Sequence, residues 1–198
     1  LLHEINTAPL PKWTKLKNRR LQTYGARVGG EGDKPAVFVD DFPKLIDGVR
    51  EKLGELLTER EEDKPNNCLV NEYLPGQGIL PHEDGPAFHP VIATVSLGGS
   101  CILDLYPKGG GDRGKRQPTC RLLLAPNSLL VMTNEAYTSH LHGIDETDVD
   151  TVHLAAGNNV ANWDETEVGG NPTNGNIVKM PREETRVSVT FRSAKRVV

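Results

Sequence analysis

NEYLPGQGILPHEDG, residues 71–85, decides the fold. An apolar run ends in NEY, the turn formers PGQG follow, and Ile79 and Leu80 lead into His82, Glu83, Asp84 and Gly85. The pattern is strand, turn, strand. On a strand, residues i and i+2 point to one face. An imidazole at 82 and a carboxylate at 84 can therefore reach one metal ion, while Glu83 faces away. Gly85 lets the backbone turn just beyond them. By the same alternation Asn71 and Tyr73 share a face, where an amide and a phenol could donate to a bound carboxylate or keto acid. The His-x-Asp pair alone is weak. About 0.4 such matches arise by chance in a chain of this composition, and a surface histidine beside an acid is the ordinary reading.

Outward from this stretch the signals are mostly strand. CLVNEYL, IATVSL, CILDLY, RLLLA, SLLVMT and RVSVTFR are short and rich in apolar or β-branched residues, with PGQG, GGS, KGGGDRGK and APNS between them. Short strands at close spacing predict a sandwich or barrel. One helix is expected upstream, where Pro43 is followed by Ile46, Val49, Leu53 and Leu56 at helical spacing. Residues 145–184, rich in Asn, Gly, Asp and Thr, break the pattern and predict a long, mobile surface insertion.

The chain has 198 residues, enough for one domain with a real core. Its apolar and charged fractions of 36% and 25% are those of a soluble globular protein. No apolar run approaches the roughly 18 residues of a membrane span. The start, LLHEINTAPLPKW, lacks the pattern of a signal peptide and lacks Met, so a targeting segment could have been trimmed away. Cys68, Cys101 and Cys120 are odd in number with no CxxC spacing, which predicts reduced thiols and a nuclear and cytoplasmic location. The net charge of −4 is unevenly spread. Asp145, Glu146, Asp148, Asp150, Asp164, Glu165 and Glu167 are concentrated in one segment, whereas KWTKLKNRR packs Lys12, Lys15, Lys17, Arg19 and Arg20 into nine positions. A basic arm of this kind can steer a polyanion, or can simply be a solvated face.

Two further features raise the weight of His82 and Asp84. YTSHLHGI offers His140 and His142 after the strand SLLVMT. Two histidines with one carboxylate and open positions form the facial triad of non-haem Fe(II) oxygenases, and spacing does not choose between the two histidines. His3, His89 and His153 lack a strand context. In RVSVTFR, Arg186, Ser188, Thr190 and Arg192 share one face and Val187, Val189 and Phe191 the other. Two arginines projecting together invite an anion, and a guanidinium fork suits a carboxylate.

Asn-x-Tyr, then His-x-Asp, a distant His and a final pair of arginines six residues apart resemble the AlkB family of Fe(II)/2-oxoglutarate dioxygenases. NEYLPGQGILPHEDG and AYTSHLHGI are especially similar to its eukaryotic AlkB homologue six branch. The resemblance covers about residues 11–145 and 185–197. It implies a double-stranded β-helix, or jelly roll, that is mainly β with a flanking helix, in a single domain over 1–198. It implies iron on His82, Asp84 and His142, the last chosen because the distal ligand of this branch precedes Gly-Ile. It also implies 2-oxoglutarate on Asn71, Tyr73, Arg186 and Arg192, with Arg186 on the distal carboxylate, and O2 as co-substrate. A nucleotide-recognition lid is expected within 11–36, where Arg20, Gln22 and Tyr24 of RRLQTYG would contact the base and Trp13 could stack on it. The implied activity is oxidative demethylation of methylated bases in RNA or DNA by a monomer. A protein or small-molecule hydroxylase and a non-catalytic reader of modified nucleic acid are the alternatives.

Overall fold

The computed structural model describes residues 1–28, 36–109, 117–153, 160–163 and 177–195. Its strands are β1 (Thr14–Lys15), β2 (Arg20–Arg27), β3 (Val37–Asp40), β4 (Asn67–Tyr73), β5 (Ile79–His82), β6 (Val91–Gly98), β7 (Cys101–Pro107), β8 (Cys120–Leu124), β9 (Leu129–Thr133), β10 (His140–Ile144), β11 (Val149–His153), β12 (Ile177–Pro181) and β13 (Arg186–Arg192). The helices are α1 (Leu2–Asn6), α2 (Lys44–Leu57) and α3 (Asn134–Thr138).

The larger sheet runs β1-β2-β4-β13-β6-β9, with β3 also paired to β2, and the smaller runs β5-β10-β7-β8. Tyr73 of the larger sheet packs with Cys101, Leu103, Leu124 and Ile144 of the smaller, and Ile92 and Met132 pack with Leu105. Two sheets sharing a core in this way are the jelly roll expected from the strand pattern, with α2 as the flanking helix.

The pleat of β13 sorts its residues between two environments. Val187, Val189 and Phe191 join Tyr24, Cys68, Val70 and Ala93 in the main core, together with Ile46 and Leu53 of α2. Each such side chain contributes about 1.5–3 kcal/mol on burial. The alternate residues Arg186, Ser188, Thr190 and Arg192 line a cavity between the sheets. In α2, Ile46, Val49 and Leu53 face the core as their spacing predicts, but Leu56 is exposed and Leu57 packs in its place. The apolar face thus drifts by one position over the last turn.

Two expectations need correction. Residues 20–27 are not part of a lid. They form β2, paired with β4 from Arg20↔Glu72 to Gly25↔Asn67 and with β3 at Ala26 and Arg27. Gln22 and Tyr24 lie on its buried face, which RRLQTYG alone does not reveal. The described parts of 145–184 also do not behave as a loose insertion. β11 and β12 pair in register from Val149↔Pro181 to His153↔Ile177. Val152, Val160, Trp163, Val178 and Met180 bury themselves against Ile102 and Leu123. The polar composition of the whole segment masked these few apolar positions. Residues 154–159 and 164–176 lie outside the described residues. Cys68, Cys101 and Cys120 are free thiols, and no described helix is long and apolar enough to cross a membrane.

An ion pair pins this hairpin to the domain. Arg182, just after β12, donates Nε and Nη2 to the two oxygens of Asp150, each at 2.6 Å. Its Nη1 donates to the backbone oxygens of Gln77 and Asp145 at 3.3 and 2.9 Å. Both side chains are buried. Removing one partner strands the other's charge, so Asp150→Ala is expected to cost about 3–5 kcal/mol. Replacing both with apolar residues, as in Asp150→Leu/Arg182→Met, should recover much of that loss in urea denaturation.

Candidate metal and co-substrate site

β5 and β10 are antiparallel, and their register sets His82 directly opposite His142. The two rings lie 4.3 Å apart, centroid to centroid. Among the described residues, His82, Asp84 and His142 form a group whose ligand atoms all fall within 4.8 Å of one another. Asp84 reaches this group differently from the way its spacing suggested. β5 ends at His82, so Asp84 lies in the loop beyond it. Three features place it there. Gly85 adopts φ +87°, a conformation glycine accepts readily. Tyr137 of α3 donates its hydroxyl to the Gly85 carbonyl at 2.7 Å. Arg192 Nη1 donates to Asp84 Oδ1 at 2.8 Å, while Oδ2 lies 3.5 Å from His142 Nε2.

The histidines are chemically prepared as ligands. His82 Nδ1 lies 2.9 Å from the Leu80 carbonyl. A carbonyl only accepts, so Nδ1 carries the proton and Nε2 keeps its lone pair. Burial, followed by the neighbouring His82 charge, lowers the His142 pKa to about 4, so that ring is neutral near pH 7. His140, the alternative left open by spacing, turns its Nδ1 to the Glu135 carbonyl at 2.9 Å and stays outside the group. Two imidazoles and one carboxylate suit Fe(II).

The triad opens into a cavity of ≈ 220 Å³ lined by both sheets. Asn71, Tyr73 and Arg186 all line it, at positions paired in register across β4 and β13. Arg186 is buried and donates Nη2 to Ser96 Oγ at 2.9 Å, while its Nε and Nη1 have no hydrogen-bond partner among the described residues. A buried guanidinium with orphaned donors is costly unless an acceptor arrives, and the carboxylate of a 2-oxo diacid meets that need. Its Cζ also sits 5.7 Å from the Tyr73 ring. Burial raises the Tyr73 pKa, so its phenol is a neutral donor. Arg192 is committed elsewhere, with Nε on Asn67 Oδ1 at 2.9 Å and Nη1 on Asp84. It stands beside the His82, Asp84 and His142 group and holds Asp84 in place.

Four residues expected to contact the base do not face this cavity. Gln22 and Tyr24 are fully buried on the α2 side of the sheet, with Tyr24 donating to Gln22 Oε1 at 2.7 Å and Gln22 Nε2 donating to the Ile5 carbonyl at 3.1 Å. Arg20 pairs with both oxygens of Glu72, at 2.6 and 2.7 Å, and its Cζ lies 4.0 Å from the Trp13 ring. Trp13 packs on the same core. The parity is reversed. Arg19, the neighbour of Arg20, lines the cavity and donates Nε to Asn71 Oδ1 at 3.1 Å. The sequence placed Arg19 only in the basic arm, and nothing in it singled out Ser96, Asn67 or Tyr137. Only the pairing of β2 on β4 shows which residue of RRLQTYG faces the site.

The fold and site together define an iron- and 2-oxo-acid-dependent oxygenase, and comparison with known proteins agrees. The 2OG-Fe(II) oxygenase superfamily matches residues 7–192, and the chain belongs to that superfamily. Within it the chain falls in the AlkB family, in a branch like ALKBH6. It is 32% identical over 204 residues to "Probable RNA/DNA demethylase ALKBH6" of Danio rerio, covering all of this chain and 80% of that protein. It is 31% identical over 189 residues to the Mus musculus "tRNA (carboxymethyluridine(34)-5-O)-methyltransferase ALKBH8", covering 92% of this chain but 26% of that larger protein. A Burkholderia pseudomallei crystal structure titled as an oxidoreductase of the 2OG-Fe(II) oxygenase family covers 100% of this chain and 82% of its own, with a TM-score of 0.53 at 15% identity, and so shares the fold.

Arg186→Ala should weaken 2-oxoglutarate binding tenfold to a hundredfold, since a charge-assisted pair is worth about 1.5–3 kcal/mol. Arg186→Lys, which cannot form the fork, should restore only part of it in a co-substrate titration. The His142 shift also carries a sign. Its folded pKa lies below the unfolded value, so the unfolded chain takes up the proton first. The metal-free protein should keep this contribution above about pH 6.5 and lose it as pH falls toward 4. Melting temperatures across that window should fall less steeply for His142→Gln.

Proposed function

We propose that this chain is an oxidative demethylase of methylated bases in RNA or DNA. The observation that carries the substrate class is its full-length similarity to a probable RNA/DNA demethylase. The site supports the chemistry. His82, Asp84 and His142 would hold iron, with Arg192 keeping Asp84 in place. Arg186 would take the distal carboxylate of 2-oxoglutarate, and Asn71 and Tyr73 would donate to the co-substrate. When bound, metal and co-substrate supply the oxidising power to hydroxylate a methyl group with O2. Ile79, Leu130, Met132 and Ile144 line the same cavity with apolar surface, which helps keep water from the reacting groups. A hydroxylated N-methyl group then leaves as formaldehyde.

The tip of the β1–β2 hairpin supports a polyanionic substrate. Lys15 and Lys17 are exposed there, next to Arg19 at the cavity. Substrate contact thus moves from the Tyr24 face to this tip.

Incubation with methylated RNA, methylated DNA and methylated peptides tests the reading. Succinate and formaldehyde should form in equal amounts, matched by loss of methyl groups from an oligonucleotide. A chelator should abolish turnover and added Fe(II) restore it. Turnover of the peptides alone would point to a protein hydroxylase, and tight oligonucleotide binding without turnover to a reader.

A further inference from the structure

Arg19 and Asn71 make a contact whose chemistry fixes an orientation. Asn71 lies on β4, opposite Leu21 of β2 and Ser188 of β13, and is 6% exposed. Its amide can present either an oxygen or an NH2 group to the cavity. The two ends differ only in hydrogen bonding, so the amide is indifferent unless a neighbour chooses. Arg19 is such a neighbour. A guanidinium has donors and no acceptor, so its Nε, 3.1 Å away, must meet the amide oxygen. Nδ2 is then directed away from Arg19, into the cavity that both residues line. Among the described residues, Nδ2 donates to no acceptor.

We infer that Arg19 is a positioning residue that locks the Asn71 amide as a donor toward the 2-oxoglutarate carboxylates. A flipped amide would set its oxygen against a carboxylate, and the contact would become repulsive. Arg19 is well placed for this role. It stands between the hairpin tip and the start of β2, where its carbonyl accepts from Leu16 N at 2.9 Å. The adjacent Asn18 bonds Glu146 beyond β10. The tip is therefore tied to the segment after β10, and Arg19 ties it to the cavity. Among the described residues its guanidinium makes one hydrogen bond, the one to Asn71. The inference rests on Asn71 contacting the co-substrate.

The test is a calorimetric titration of 2-oxoglutarate into Fe(II)-loaded protein without O2, which involves no nucleic acid and so does not depend on the demethylase reading. Asn71→Ala should weaken binding roughly tenfold, and Arg19→Ala roughly three- to tenfold. The double variant should be no weaker than Asn71→Ala, since Arg19 acts only through that amide. Arg19→Lys keeps a donor-only group and should bind more tightly than Arg19→Gln, whose own amide imposes no orientation. Matching melting temperatures would show that each variant is folded. Unchanged affinity in Arg19→Ala or in Asn71→Ala would overturn the inference. So would an Arg19→Ala loss that persists undiminished in the Asn71→Ala background, because Arg19 would then touch the co-substrate directly, or a Gln variant that binds better than Lys.

Discussion

The register of β13 between β4 and β6 is the constraint on which the rest depends. One pleat sends Val187, Val189 and Phe191 to the α2 core and Arg186, Ser188, Thr190 and Arg192 to the cavity. A slip of one residue would bury two guanidinium groups among aliphatic side chains and turn three apolar ones toward the metal group. Burial on one face and charge on the other thus specify the same alignment. That alignment carries Arg186 to Ser96 and Arg192 to Asp84. The main core and the co-substrate pocket are two faces of the same strand.

The smaller sheet brings the candidate metal ligands together through an analogous pairing, His82 opposite His142. Arg192 connects the halves, since it belongs to the larger sheet and holds a carboxylate from the loop after β5. Both members of this pair are about nine-tenths buried. A charge pair that deep is worth little as net stability. Its value lies in fixing where Asp84 Oδ2 points. The rigidity needed for a metal group is thereby shared between the sheets, with α3 contributing through Tyr137 and Gly85.

Much of this was legible in the sequence, where chemistry and periodicity coincided. RVSVTFR announced both of its faces, because four polar and three apolar residues alternate without exception. His82, Asp84, Asn71 and Tyr73 were legible as a constellation, and the ALKBH6-like resemblance chose His142 over His140. What failed was parity and context. RRLQTYG gives no internal sign of which residues face the site, since Arg19 and Arg20 are the same residue type. Only pairing with β4 assigns Arg20, Gln22 and Tyr24 to the helix side. Likewise Asp150 belongs to an acidic run within the expected surface insertion, yet it is buried against Arg182. The two lie 32 residues apart, a separation that composition and local periodicity do not reach.

A crystal structure of the protein with Mn(II) in place of iron and 2-oxoglutarate, grown without O2, tests the central claim most directly. The anomalous signal should fall among His82 Nε2, His142 Nε2 and Asp84 Oδ2, with the distal carboxylate on Arg186 Nε and Nη1. A metal peak that leaves any of these three side chains uncoordinated, or a co-substrate bound away from Arg186, would contradict it.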